Sequence, residues 1–486
     1  MKTWFENKWD LFRTNFLFLP LLMSGASVVF FLGLTVLDSH VDLPASGPAR
    51  WLRAGSAAGV RALLTAMVGA LVTALSVVFS ITIVALTLAA SQLGPRLLRN
   101  FMRDRGNQVI LGVFVSTFLY CLLALRLVGR TDAPDQLPHI TVLGAFVLAC
   151  AAFGVLIYFI HHVARSIQAP SVITSVCAEL ESEIERIFPE PSEDDDTAPE
   201  PPSEKEFPPR QGLVTSDWDG YLQAIDVDGL IEVACRADVI LRVLRRPGHF
   251  LVRGEPLVEV HSATEVEEEM DYTAQAIRRS LVWGQLRSTS PVRKALPPQT
   301  IRRSLILGKR RTATQDIEFV MLQLVEIAVR ALSPGINDPI TAMTCIDRLS
   351  AVFCRIARRR MPRAHHYDET GNLRLILNNT DFEGLCNAAF DQIRQHARSD
   401  AAVLIRLLEG LHRIAKQART DNQRAAIWRQ AEMVHRAAME LPEPLDRQSA
   451  KERFLAIKGE LPDSVERGTA QTGAKGSDRG KNKTGM

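Results

Sequence analysis

Residues 62–93, ALLTAMVGALVTALSVVFSITIVALTLAASQL, contain no Asp, Glu, Lys, Arg or His. As a helix rising about 1.5 Å per residue, this run reaches about 48 Å. A bilayer's hydrocarbon core is only about 30 Å thick, and about 20 helical residues cross it. The helix must therefore tilt strongly or stand out of the membrane at one end. Thr73, Ser76, Ser80, Thr87 and Ser91 recur along it at spacings of 3, 4, 7 and 4, which places them on one helical face. Thr65 lies at the margin of that face and Thr82 opposite it. The hydroxyl stripe suits a pore lining or close helix packing, and Gly69, Ala70, Ala74, Ala85, Ala89 and Ala90 on the same helix favour packing.

Three more apolar runs surround this one, giving expected spans at about 16–37, 62–93, 108–127 and 140–161 within a transmembrane domain of residues 1–165. The first run is too long for the apolar core of a cleaved signal peptide, and three spans follow it. Lysine and arginine placement sets the orientation. Lys2, Lys8, Arg13, Arg96, Arg99, Arg103, Arg105 and Arg165 fall on one side; Arg50, Arg53, Arg61, Arg126 and Arg130 fall on the other. Eight against five places both termini and the soluble part in the cytoplasm. Arg96, Arg99, Arg103 and Arg105 would lie at the headgroups, next to the Gly94-Pro95 stop of the second span.

The 57 basic and 54 acidic residues leave a net charge of +3, a balance that gives no support for nucleic-acid binding. Seven scattered cysteines show no CxxC or Cys/His ligand spacing, and structural disulfides are not expected in the cytoplasm. No phosphate loop, HExxH, GxSxG or GxGxxG signature occurs. No enzymatic activity, cofactor or metal is expected.

Beyond the spans, residues 166–188 read as a connecting helix broken from the fourth span near Pro170. The Pro- and acid-rich stretch 189–210 reads as a disordered linker. Residues 211–262 read as a small β-rich unit, with strands at 212–215, 221–225, 239–243 and 257–260 and a helix from Val227 to Arg236 capped by Asp226. The connection Pro247 to Pro256 looks like a turn of biotinyl or lipoyl carrier folds and hints at a small β-sandwich. It carries no lysine for attaching a cofactor. Residues 263–460 read as an α-helical bundle, with helices at 264–281, 315–332, 339–355, 381–396, 401–416 and 422–439. The tail 461–486 reads as disordered.

Two segments of the helical part stand out. Lys309, Arg310 and Arg311 precede an expected helix start at which Thr312 and Gln315 have capping-box spacing. Free amides beside three cations would suit a small anionic ligand; solvated or internally paired cations are the alternative. In Ser333-Pro334-Gly335-Ile336-Asn337-Asp338-Pro339 one helix stops, and Asp338 caps the next with Pro339 at its first position. Asn337 and Asp338 are thus a structural turn or, less simply, ligands. His161-His162 reads as interfacial, His365-His366 as a solvated polar loop, and Cys345 and Cys354 as small core hydrophobes.

The run Val78 to Thr82 through Gln92-Leu93-Gly94-Pro95-Arg96, the Arg310-Arg311-Thr312 and Gln315-Asp316 pair, and Ala331 to Pro339 together resemble a family of predicted bacterial membrane proteins, domain of unknown function 2254. The resemblance spans most of residues 10–440. It implies a multi-pass inner-membrane protein with a cytoplasmic C-terminal region, and it implies no activity.

The expected fold is therefore a multi-pass α-helical membrane protein with four transmembrane helices and a cytoplasmic α+β region. The expected role is a membrane-anchored regulatory, sensory or scaffold protein whose helical domain binds a protein partner or small anionic ligand. The alternative is an oligomeric ion or small-solute channel lined by the second span. A homo-oligomer in the lipid bilayer is expected.

Overall fold

A computed structural model describes residues 18–40, 56–94, 105–129, 137–190, 208–216, 219–262, 311–312 and 315–461. The chain divides into two compact units, Met1–Val172 and Ile173–Met486.

The first unit holds four helices long and apolar enough to cross a membrane: α1 (Phe18–Asp38), α2 (Ala57–Leu93), α3 (Arg105–Val128) and α4 (His139–Ser166). α3 is the hub, packing against each of the other three. Half of its most apolar window is buried (50%), against 22% for α2. α2 runs 37 residues, about 55 Å at the helical rise. Its inward face is Val60, Leu64, Leu71, Ala74, Val78, Ala85 and Ala89, at the three-, four- and seven-residue intervals that keep one stripe against a neighbour.

Polar contacts lock one end of this bundle. α4 begins after Pro138, which offers no side-chain cap. Asp38, at the end of α1, supplies one: its carboxylate accepts from Ile140 N (2.8 Å), Thr141 N (2.8 Å) and Thr141 Oγ1 (2.6 Å). A carboxylate there satisfies two amides that helix geometry leaves without partners, and it faces the positive end of the helix dipole. The Thr141 carbonyl in turn accepts from the buried Tyr120 hydroxyl (2.9 Å). Gly144 lets α4 approach this tyrosine, because a Cβ there would lie 2.7 Å from the Tyr120 oxygen and 2.8 Å from Leu34 Cδ1. Near the start of α2, Arg61 donates to the Val128 carbonyl (3.3 and 3.2 Å), closing the last turn of α3.

After a break at Ile167–Gln168, α5 (Ala169–Ile187) begins. Pro170 sits in its first turn, where the missing N–H has no intrahelical partner to lose. Ile173, Val176, Cys177, Leu180 and Ile184 form its buried stripe.

The second unit contains a five-stranded sheet ordered β1-β5-β3-β7-β6 and a two-stranded pair, β2-β4. The strands are β1 (Arg210–Thr215), β2 (Gly220–Tyr221), β3 (Ile240–Val243), β4 (Phe250–Leu251) and β5 (Pro256–His261), then β6 (His365–Tyr367) and β7 (Leu373–Ile376). β3 and β7 are parallel; the other pairs are antiparallel. Helix α6 (Val227–Arg236) is capped by Asp226, which accepts from Gly229 N. The sheet thus crosses the sequence boundary drawn at 262. His365-His366, expected in a solvated polar loop, instead lie on β6 of a β6–β7 hairpin whose Leu375 is fully buried in the sheet core.

The remaining helices are α7 (Ile317–Ala331), α8 (Pro339–Arg358), α9 (Phe382–His396), α10 (Ala401–Ala415), α11 (Asp421–Ala438) and α12 (Pro444–Glu460). Asp316, Asp338, Asp381 and Asp400 cap four of them, and Thr420 with Gln423 forms a capping box on a fifth. Leu349, Phe353, Leu385, Leu407 and Ile427 are fully buried where α8 to α11 meet. α12 covers α10 and α11; its apolar face is too sparse to announce itself, with only Ala450 and Ile457 buried. The expected helix at 264–281, most of the linker 189–210 and the tail from 462 lie outside the described residues.

Candidate functional site

The motif Arg311 to Asp316 sits where α7 starts, and the side chains of Arg311, Gln315 and Asp316 are committed to neighbours. The helix is capped by Asp316, which accepts from Phe319 N (3.1 Å). Thr312 and Gln315 do not form the capping box their spacing suggests. Gln315 takes a left-handed backbone (φ 59°), and its amide bonds Ile225 twice, accepting from Ile225 N (2.8 Å) and donating to Ile225 O (3.1 Å). The hydroxyl of Thr312 is buried without a partner.

Arg311 is not an open anion receptor. Its guanidinium grips the buried Asp316 through Nη2 (2.9 Å) and Nε, and it reaches Glu318 at 3.5 Å. Arg246 pairs with the same Glu318 at 2.6 Å. The four groups neutralise one another two by two, and together they join the β3–β4 connection to α7. Gly248 makes this possible: at φ 92° its missing Cβ would lie 2.1 Å from Asp316 Oδ2. His249 is held below its ordinary pKa, first by burial and then by Arg246, Arg245 and Arg311, against the opposing pull of Asp316. Lys309 and Arg310 lie outside the described residues.

Beside this cluster lies a cavity of about 470 Å³, within the range of about 300–1,000 Å³ usual for small-molecule sites. Five separate stretches of chain wall it, among them Arg246 and Pro247 of the β3–β4 connection. Ile187, Phe188 and Pro189 close one side at the end of α5; Ile225 and Val227 come from the start of α6. Gln315, Asp316 and Ile317 come from the cap of α7, and His366, Leu377 and Asn379 from β6 and the strand after β7. Arg186, Arg246 and Arg363 are among its lining residues, with Asp316 the one acidic residue there among the described residues. Arg359 anchors the α5 wall by donating to the Phe188 carbonyl (2.9 Å).

His366 corrects the reading of a solvated histidine pair. It lies on β6, half-buried, and its Nε2 is shut off from solvent with no hydrogen-bond partner. Burial pushes the imidazole below its ordinary pKa; a hydrogen bond to the Arg363 backbone opposes this, and the Arg363 and His365 charges add to it. No spacing in the sequence marks this residue, because it reaches the cavity only through the β3–β7 pairing.

Asn337 adopts φ 49°, and the Asp338 carboxylate accepts from Thr341 N (3.1 Å) and Thr341 Oγ1 (2.6 Å). Asp338 N returns to Ala331 O at 2.8 Å. Cys345 and Cys386 are fully buried, Cys354 partly so, and burial pushes all three thiols up in pKa. His162 stacks on Tyr158 at 5.7 Å. Among the described residues, no group of three or more His, Cys, Asp or Glu could hold a metal ion.

On α2, Thr73, Ser76, Ser80, Thr87 and Ser91 are all exposed. Each lies two positions after a buried residue (Leu71, Ala74, Val78, Ala85 and Ala89), which is about 200° around the helix. Thr73, Ser76 and Thr87 donate to the carbonyl four residues back, and Ser91 to the one three back, at 2.9–3.0 Å. Among the described residues, no helix of the chain's own bundle covers the stripe. Of the basic group after α2, Arg105 opens α3 and is exposed; Arg96, Arg99 and Arg103 lie outside the described residues.

Four apolar helices of spanning length, joined to a mixed α/β unit, define a multi-pass helical membrane protein. The chain belongs to the family of predicted membrane proteins designated domain of unknown function 2254, whose model matches residues 13–413. Uncharacterized proteins of Mycobacterium bovis and Mycobacterium tuberculosis are each 32% identical to it over 388 residues, 79% of this chain and 69% of theirs. No solved structure matches the chain.

Proposed function

We propose that the protein is a membrane-anchored regulatory or sensory protein of the inner membrane, whose cytoplasmic unit takes a ligand or partner at the cavity beside α7. One observation carries this reading. The cavity wall includes the last turn of α5, and α5 follows the fourth apolar helix with only Ile167 and Gln168 between them. Occupancy that moves Phe188 would act on a helix continuous in sequence with a membrane span. A binding event can shift such an element only if the ligand favours one of its positions.

The test uses the full chain in lipid nanodiscs and hydrogen exchange. Val227→Trp fills the cavity from the start of α6. Sensing requires altered exchange through α5 and into the end of α4, over residues 160–187. Changes confined to the sheet and the α7 cap refute transmission.

A second reading, an oligomeric channel lined by α2, is favoured by the outward hydroxyl stripe alone. Hydroxyls bonded to their own helix are tolerated in lipid or at a helix interface, so the stripe is compatible with a lining but does not require one. Planar-bilayer recording across a salt gradient separates the two. Discrete current steps altered by Ser80→Leu support conduction; a silent bilayer with protease-verified insertion favours the anchored-sensor reading.

A further inference from the structure

We propose that one end of the helical bundle rests in the bilayer interface. That end carries the corner between α7 and α8 and the corner between α11 and α12, and Ile336, Ile340, Met439 and Leu445 enter the lipid from it. The proposal goes beyond the sensory reading and does not need the cavity to be a ligand site.

Helix direction identifies the end. Glu181 of α5 pairs with Arg355 of α8 at 3.0 Å, and the Phe188 carbonyl, further along α5, accepts from Arg359 at 2.9 Å. So α5 and α8 run the same way. α10 follows α8: Arg406 lies 3.7 Å from Asp347, and Arg358 donates to Gln417 Oε1 at 2.8 Å. α12 follows α10: Arg453 pairs with Glu409 at 2.9 Å, and Glu460 lies 3.4 Å from His412 Nε2. The starts of α8, α10 and α12 therefore share one end, and α5 enters the second unit at that end with Ile173. Ile173 follows Ser166, the last residue of the apolar helix α4, closely in the chain. Even fully extended, a link of that length reaches only about 25 Å. The end is tethered close to a membrane span.

The side chains there suit lipid. Among the described residues of 317–461, five large apolar side chains are exposed. Four of them gather at this end: Ile336 (39%) and Ile340 (69%) at one corner, Met439 (37%) and Leu445 (70%) at the other. The fifth, Leu455, lies on the flank of α12. Exposed apolar residues scattered singly need no explanation, but a cluster marks a contact surface. The backbone suits lipid as well, since a segment leaving water must satisfy its own donors. Ile336 N and Asn337 N donate to Ser333 O at 3.0 and 2.9 Å, and Asp338 N donates to Ala331 O at 2.8 Å. Met439, Glu440 and Leu441 donate to the carbonyls of His435, Ala437 and Ala438 at 3.0–3.2 Å. Pro334, Pro339, Pro442 and Pro444 have no N–H to satisfy. Charge does not select the lipid, because acidic Glu440 and basic Arg398 are both exposed at this end. Apolar insertion supplies the attraction, so a zwitterionic bilayer suffices.

The test puts the photoreactive residue benzoylphenylalanine in place of Ile340, Leu445 or Leu455, one at a time, in the full chain in phosphatidylcholine nanodiscs. Mass spectrometry then identifies what each position captures. The expected result is lipid adducts at the positions of Ile340 and Leu445, at least about fivefold above the yield at Leu455. Yields no higher than at Leu455 overturn the proposal. Lipid capture at only one of the two corners overturns the shared surface. Cross-links between chains in place of lipid adducts also overturn it, and assign the end to a second copy. Amide exchange gives a second measurement if the probe disturbs folding. The pair Ile340→Asp and Leu445→Asp should quicken exchange over residues 336–341 about threefold or more in the same nanodiscs. An acid in the first turn suits the helix dipole, so faster exchange reports lost lipid contact and not a weakened helix. Unchanged exchange there overturns the proposal.

Discussion

Asp38 ties the end of α1 to the start of α4. Replacing it with alanine removes three hydrogen bonds at once, to Ile140 N, Thr141 N and Thr141 Oγ1, all between 2.6 and 2.8 Å. No cap replaces it, since Pro138 offers no side-chain oxygen. Loss of an N-cap costs about 0.5–2 kcal/mol. The charge at the helix dipole adds about 0.3–1 kcal/mol. The hydroxyl bond to a charged acceptor adds about 1.5 kcal/mol. These contributions overlap, so the expected loss is about 2–4 kcal/mol. In a unit of this size, each kcal/mol moves the midpoint by about 2–4 °C. The assay is thermal unfolding of the full chain in mild detergent, followed by the circular dichroism of its helices. Asp38→Ala should lower Tm by about 5–12 °C. Asp38→Asn, which keeps one acceptor oxygen, should lower it by roughly half as much. Thr141→Val, which removes only the hydroxyl, should cost least. A Tm for Asp38→Ala within a degree of wild type would refute the reasoning. So would an Asn variant as damaging as the Ala variant, which would point to size rather than hydrogen bonding.

Other outcomes follow from the second unit. Gly248→Ala places a Cβ 2.1 Å from Asp316 Oδ2 at a φ of 92°, so it should break the arginine–carboxylate cluster and cost about 2–4 kcal/mol, read as a lower denaturant midpoint. Gln315→Ala removes both bonds to Ile225 and should cost about 1–3 kcal/mol, with faster amide exchange at Ile225 as its local signature. Burial holds the Cys345 and Cys386 thiols well above their ordinary pKa. Maleimide at pH 8 should therefore label the exposed Cys235 within minutes and leave those two intact until denaturant is added; early labelling at Cys345 would contradict the packing of α8.

The spans, the caps and the corner at Ala331 to Pro339 were legible in the chain because each depends on residues close in sequence. A charge-free run of 32 residues has one low-cost place to be. Asp226 and Asp338 each bond an amide three residues ahead. The hydroxyl stripe was legible as a face, since helical periodicity alone defines it. That the chain's own bundle leaves this face uncovered emerged only when α3 took the opposite side.

In the segment Lys309 to Gln315 the sequence left two roles open, an anion receptor or internally paired cations, and for Arg311 the structure shows pairing with Asp316 and Glu318. Gln315 reaches Ile225 across 90 positions, and Asp38 reaches Ile140 across 102. His366 enters the cavity wall only because Leu241 and Arg242 pair in parallel with Leu375 and Ile376. Sequence by itself determined which segments enter the membrane, where most helices begin and stop, and which residues are apolar enough to be cores. Tertiary structure alone decided which cations are neutralised, which strand a distant histidine pair joins, and where a cavity remains. The physical reason is range: periodicity and capping act within a turn or two, whereas ion pairing, strand registry and void space depend on neighbours that folding supplies.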